Sequence, residues 1–291
     1  MKLIIFFISF LFAFSIKAQD PVYILNNRSA IIFNPALTGI KTHKRISTSY
    51  QTFWSKYENS PVLVNISFDQ KTSKLHGGIG GFISQDYYSI YNRSNLGISY
   101  SYQLSINRKL NLSVGINGIL THKKVIPNAL TNGNNLLTVS NNYYIRSNIG
   151  AFLYGQKMFW GISANNLTSS EIPNHFISEI GYLFSFSKIQ KLFITPTLTY
   201  SYQDNYQSVL AKLNVTYNLF HLGIGYAEGD NILMMGGVNY KMFEFSYGYN
   251  ITTSKLTNNN KGTHQVNLIM NLSREKHQNP KLKNSFDTFL F

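Results

Sequence analysis

Seven histidines, His43, His76, His122, His175, His221, His264 and His277, are the side chains best suited to metal or proton chemistry, and none of them pair at a metal-binding helical spacing. There is no G-x-S-x-G elbow, phosphate loop or dinucleotide fingerprint, and the absence of cysteine removes thiolate chemistry. Gly78-Ile79-Gly80-Gly81 is glycine-rich, but it lies in a strand pattern with no helix after it, so close packing inside the fold or a bend in a sheet is expected there. No catalytic, cofactor or metal residues are assigned, and the chain reads as a non-enzyme. The charges are more telling. Asp69, Arg93, Arg146, Glu179, Lys212 and Glu244 all fall on the polar faces of alternating segments, where they could line a pore or pair across a filled interior.

Those charges need elements to hold them, and the sequence offers one kind. In Phe243-Glu244-Phe245-Ser246-Tyr247-Gly248-Tyr249-Asn250-Ile251, odd positions are aromatic or aliphatic and even ones are charged, small or polar. Side chains of an extended chain alternate between faces, so the segment is a strand with one apolar and one polar side. The pattern predicts strands at about 45–54, 61–70, 76–85, 94–105, 109–121, 143–154, 158–165, 176–187, 191–202, 207–218, 221–227, 231–240, 242–251 and 264–272. Fourteen is an even number, as expected of a single-chain bacterial outer-membrane barrel.

Connection lengths alternate as well. Short ones fall near Ile106-Asn107-Arg108, Gly155-Gln156-Lys157, Lys188-Ile189-Gln190, Leu219-Phe220 and Lys241, and long ones at 122–142, 166–175 and 252–263, so the long loops gather at one end. Tyr87-Tyr88, Tyr143-Tyr144 and Tyr200 with Tyr202 stand at strand ends, where an aromatic girdle is expected. The fold class is therefore all-β, a transmembrane antiparallel barrel of about fourteen strands in contact with outer-membrane lipid. The short-turn side, read as periplasmic, gathers lysines and arginines; Arg108, Lys109, Lys188 and Lys191 form a candidate docking rim for an acidic partner or the cell wall. The outward connections are read as holding most of the acids, Glu58, Asp86, Glu171, Asp204, Glu228 and Asp230.

At the N-terminus, Lys2, the apolar run from Leu3 to Phe14 and Ser15-Ile16-Lys17-Ala18 read as a secretory signal cleaved near Ala18. The resulting divisions are 1–18 signal peptide, 19–42 an N-terminal periplasmic or lumen-plugging segment, 43–272 the barrel and 273–291 a polar tail, with both termini periplasmic. The formal charge of +14 comes without a basic helix, zinc spacing or RNP-like strand, so no nucleic-acid partner is expected. A general porin or small-solute channel fits the uncharged Ser, Asn and Thr of the polar faces.

Several stretches together resemble the PorP/SprF family of outer-membrane proteins associated with the type IX secretion system of Bacteroidetes. They include Asn34-Pro35-Ala36 with Thr38-Gly39, Tyr50-Gln51 with Trp54, Phe68-Asp69, Gly78-Ile79-Gly80, Ser246-Tyr247-Gly248-Tyr249 and Gly262-Thr263-His264-Gln265. The chain departs from the family pattern at Asn250, usually Asp, at Gln265, usually Glu, and at Tyr50, where an Arg usually precedes Gln. The resemblance implies a non-enzymatic barrel that supports secretion or surface anchoring of large adhesins or other cargo, including in gliding species. It also implies type IX secretion partners, among them a periplasmic PorE-like peptidoglycan-binding lipoprotein.

Overall fold

The computed structural model describes residues 30–41, 44–55, 60–88, 91–125, 140–169, 171–186, 191–204, 206–228, 231–252 and 262–272. The expected signal sequence, the start of the lead-in, Lys188, much of the two longest connections and the tail lie outside the described residues. A short helix α1 (Ala30–Phe33) and a single 3-10 turn η1 (Pro35–Leu37) precede the strands. The strands are β1 (Arg45–Thr52), β2 (Val62–Thr72), β3 (Gly77–Tyr88), β4 (Tyr91–Asn107), β5 (Leu110–Val125), β6 (Ser140–Gly155), β7 (Met158–Asn165), β8 (His175–Tyr182) and β9 (Phe184–Ser185). They continue with β10 (Leu192–Gln203), β11 (Tyr206–Tyr217), β12 (Phe220–Ala227), β13 (Asn231–Tyr240), β14 (Phe243–Thr252) and β15 (Thr263–Asn271).

All pairings are antiparallel, and the ring closes where β15 meets β1, with Gln51 opposite Gln265 and Arg45 opposite Asn271. Fourteen strands make the closed wall. The two-residue β9 pairs only with β10, in the register set by β8, so β8 and β9 occupy one position in the ring, interrupted at Leu183. Closure removes the unpaired edges that an open sheet would expose in hydrocarbon.

The two faces follow the alternation. On β4, Leu96 and Ile98 are 55% and 72% exposed on the outside, whereas Asn95 before them and Ser99 and Ser101 after them are buried inside. On β11, Leu213 faces out and Lys212 and Asn214 face in. An apolar outside and a polar inside suit a wall bathed in lipid. Two details differ from the sequence reading. Tyr87 and Tyr143 are on the outer face, but Tyr88 and Tyr144 turn into the lumen, because neighbours in a strand cannot share a face. Asp86 is not in an outward connection: β3 runs on to Tyr88, and Asp86 is buried inside it.

The strands are unequal in height. β4, β5 and β6 have 17, 16 and 16 residues, against 8 for β7 and 8 for β8. The two-residue turns after β4, β6, β11 and β13 sit at one end of the barrel, here the turn end; the opposite rim, the loop end, carries the longest connections together with the short ones at 89–90 and 204–205.

Candidate functional site

The segment before β1 lies inside the barrel. Asn34, extended at φ −137°, caps η1 by accepting from the Ala36 N–H (3.0 Å), and Pro35 follows at the first helical position, where its missing N–H costs nothing. Asn34 Nδ2 also donates to the carbonyls of Ala151 on β6 (3.4 Å) and Ile162 on β7 (3.2 Å). Inward-facing wall side chains satisfy four of the segment's carbonyls, and others are bonded within the segment itself. Asn117 donates to Ile31 O, Asn148 to Ile32 O, Ser113 to Ala36 O and Ser101 to Thr38 O, at 2.9, 3.3, 2.6 and 2.7 Å. The Thr38 hydroxyl bonds that of Ser99. Here a polar lumen hydrogen-bonds a plug, which is how irregular backbone is tolerated at membrane depth.

The apolar side chains of the segment are packed with equal care. Ala30, Ala36, Leu37 and Ile40 bury against Phe152, Phe159 and Leu183, and Ile31 against Phe82 and Ile119. The glycines of the wall mark where the plug backbone touches it. A Cβ on Gly78 would come to 2.6 Å from Gly39 Cα, and one on Gly115 to 2.5 Å from Ala36 N. Gly39 itself sits at φ +61°, which disfavours any side chain there. The Asn-Pro-Ala-x-Thr-Gly motif is thus the plug and its socket is Gly78, Gly80, Gly115 and Gly150, all of which a methyl group would close.

The six charges read as lumenal all belong to inner-face positions, at three separate stations. Towards the turn end, buried Asp69 accepts from Arg45 Nε (2.8 Å) and from the Gly39 N–H (2.9 Å), which fastens the end of the plug to β1 and β2. At mid-height Lys212 of β11 meets Glu179 of β8 at 3.8 Å across the intervening β10, and Glu244 is buried near the turn end of β14. Near the loop end Arg93 faces Asp86 at 3.7 Å, and Arg146 donates to Thr121 (2.9 Å), Asn166 (2.7 Å) and Asn95 (2.6 Å). Arg45 and Asp86 were missed as lumenal. Arg45 shares the parity of Ser47, Ser49 and Gln51, which is the signal that would have found it.

The later motif residues are elsewhere. Tyr247, Tyr249 and His264 lie on adjacent strands β14 and β15 near the loop end; the Tyr247 hydroxyl and His264 Nδ1 are 2.7 Å apart, and the Tyr249 and His264 rings 4.8 Å. Gly262, at φ +80°, leads into β15, where a Cβ would strike the Tyr249 ring at 2.6 Å. Tyr247 is on the outer face, so this cluster does not join the plug. Where the family pattern carries acids, Gln265 donates to Ser49 Oγ at 3.1 Å and Asn250 is buried, both inside the wall. Of the basic rim, Arg108 and Lys109 form the β4–β5 turn, and Lys191 reaches Asn218 at 3.3 Å across two turns.

Above the plug a cavity of about 630 Å³ lies towards the loop end, with Ile32 and Phe33 among its lining and Asp86, Arg93, Arg146, Tyr88 and Tyr144 around it. Lower down, inward side chains including Ser101, Ser113, Asn117, Ser246 and Asn267 have at most 1% of their surface accessible, so among the described residues the plug and the wall cover one another at that depth. Among the described residues, no cluster of three or more potential metal ligands is found.

Similarity to known proteins agrees with this architecture. No curated protein matches the chain. Among solved structures, the CymD monoaromatic hydrocarbon channel superposes with a TM-score of 0.55 at 12% identity, over 89% of this chain and 95% of that one. The toluene transporter TbuX of Ralstonia pickettii gives 0.52 at 12% identity over 84% and 92%, and Omp33 of Acinetobacter baumannii 0.51 at 8% over 80% and 100%. At such identities the likeness is one of fold, an outer-membrane barrel. The family description "Type IX secretion system membrane protein PorP/SprF" matches residues 15–270, nearly the whole of the chain that bears the plug and the barrel, and the protein belongs to that family.

Proposed function

We propose that this barrel is a non-conducting, non-enzymatic scaffold of the type IX secretion system that supports secretion or surface anchoring of large adhesins or other cargo. The observation that carries this reading is the use of the N-terminal motif as a fixed plug. Six consecutive residues, Asn34 to Gly39, are bonded or packed into glycine-lined sockets, an arrangement suited to a permanent seal. A general porin needs a water-filled lumen, and the buried inner face argues against that alternative. The solved neighbours include channels for aromatic hydrocarbons, but a shared fold does not carry a shared substrate.

In this reading the turn end faces the periplasm, with both termini of the mature chain there after cleavage near Ala18. Arg108, Lys109, Lys188 and Lys191 then form a basic rim for an acidic periplasmic partner, such as a PorE-like peptidoglycan-binding lipoprotein, with electrostatics setting encounter and register. The test compares three native-host strains: wild type, gene deletion and charge reversal at those four positions. Deletion is expected to remove a large secreted protein from the surface, read by protease shaving. Charge reversal should leave the barrel inserted while weakening both lipoprotein co-purification and cargo display. An unchanged surface proteome on deletion, with a fall in small-solute uptake instead, would establish the channel reading.

A further inference from the structure

The wall steps down sharply between β6 and β7. β6 runs from Ser140 to Gly155, but β7 pairs with it only from Ile149 to Tyr154. Beyond that point the chain leaves β7, gives the Leu167 N–H to Ser147 O at 2.9 Å and the Thr168 hydroxyl to Ile145 O at 3.1 Å, and then departs. Backbone groups of an antiparallel strand point alternately to its two neighbours. Since Ile145 and Ser147 bond to the β7 side, the N–H and C=O of Asn141 and Tyr143 point the same way, and so does the Ile145 N–H. Among the described residues, none of these five groups has a partner on that side. The residues between them, Asn142 and Tyr144, are paired with Lys123 and Thr121 of β5 and hold the strand in place.

Soluble and membrane folds blunt such an edge with lysine, proline, a bulge or a cover. Asn141-Asn142-Tyr143-Tyr144-Ile145 has no charge and no proline, and its pairing with β5 is free of bulges. On the outside, Tyr143 and Ile145 are 69% and 66% exposed, and the Tyr143 ring stacks at 4.3 Å on His122. The level is right for an external ligand. The outer apolar band ends at Leu96, Leu120 and Ile145, which stand abreast, and polar Ser94, Asn92 and Lys124 follow towards the loop end. Lys124, exposed and opposite Asn141, has no acidic partner among the described residues, whereas neighbouring Lys123 is held by Glu171 at 3.4 Å.

We infer that the β6 edge from Asn141 to Ile145 is a strand-addition site for an extended segment of the secreted cargo, carrying a carboxylate for Lys124 and an aromatic or aliphatic side chain for Tyr143 and Ile145. This rests on the cargo-anchoring reading above and names the place and chemistry of the contact. Main-chain bonds supply affinity in such additions, and alternate side chains supply selectivity.

Proline tests the edge with little harm to the fold, because the N–H groups of Asn141 and Tyr143 are not used by β5. Tyr143→Pro and Asn141→Pro should each lower cargo held at the cell surface by about tenfold, the worth of one to two hydrogen bonds, at unchanged barrel abundance. Tyr143→Phe, which keeps the backbone donor, should match wild type. In parallel, Tyr143→p-benzoylphenylalanine is irradiated in intact cells and the adduct is sequenced by mass spectrometry. The expected adduct is an acidic, strand-forming segment of the displayed protein. Adducts only with residues 126–139 of this chain, with a second copy or with lipid, or no adduct in cells that display the cargo, would overturn the site, as would wild-type display in both proline variants whose barrels insert. These failures leave the broader function standing so long as gene deletion still strips the cargo, and deletion without effect sinks that function instead.

Discussion

At the scale of single residues, the most exacting position is Asp69. Its carboxylate holds the plug by the Gly39 N–H and neutralises Arg45, and both side chains of the ion pair are nearly inaccessible to water. Removing one member of a buried pair leaves an uncompensated charge and costs about 3–5 kcal/mol, more than a surface pair is ever worth. Asp69→Ala should therefore destabilise the folded barrel by that amount in chemical unfolding from lipid vesicles, and Arg45→Met with Asp69→Leu should recover part of the loss. Equal stability of Asp69→Ala and the wild type would show that the plug does not depend on this clamp. The inward placement of Asp69 was legible from alternation alone. Its partners were not, because Gly39 is distant in sequence and belongs to a segment with no periodicity, while Arg45 stands at a strand's first residue, where a face is hardest to assign. Asp86 was misplaced for a related reason: adjacent tyrosines at 87 and 88 suggest a rim, and only the register of β3 with β4, which sets Asp86 opposite Arg93, shows that the strand continues.

At the scale of elements, the strands were legible because their period of two survives every local irregularity. Segments 158–165 and 231–240 coincide with β7 and β13, and most others differ by one to three residues at an end. The sequence leaves 19–42 open between a periplasmic and a lumen-plugging segment, because a four-residue helix followed by one 3-10 turn leaves no repeating pattern from which to read its path, and its position comes from contacts spanning up to 128 residues of sequence. Depth, by contrast, can be tested on one strand. Gln207, Val209, Ala211 and Leu213 all face outward on β11, progressing from the loop end towards mid-wall. An arginine on the lipid face costs about 2–4 kcal/mol at the midplane and about 0–1 near an interface. Unfolding free energies in vesicles should therefore fall in order from Gln207→Arg, nearly neutral, to Leu213→Arg, the worst. A flat series would mean that β11 does not cross hydrocarbon in this direction. Inner-face Asn214 and Ser246 are poor controls, since both are buried and arginine there has no room.

At the scale of the whole molecule, closure and connection parity together set an orientation that can be measured. The chain enters β1 and leaves β15 at the same end as the tight turns, because fourteen wall strands return it to its starting side. In outer-membrane barrels short turns face the periplasm and long loops the exterior. The protein contains no cysteine, so a single introduced thiol reports its own side without background. Glu228, exposed after β12 at the loop end, and Gln156, exposed in the β6–β7 turn, lie on opposite rims. Glu228→Cys should react with an impermeant maleimide on intact cells, and Gln156→Cys only after the outer membrane is opened. The opposite pattern would invert the barrel, turning the β6 edge towards the periplasm and the basic turns towards the medium. That result would separate the plug and its clamp, which are indifferent to orientation, from the cargo and lipoprotein assignments, which both require the loop end to face out.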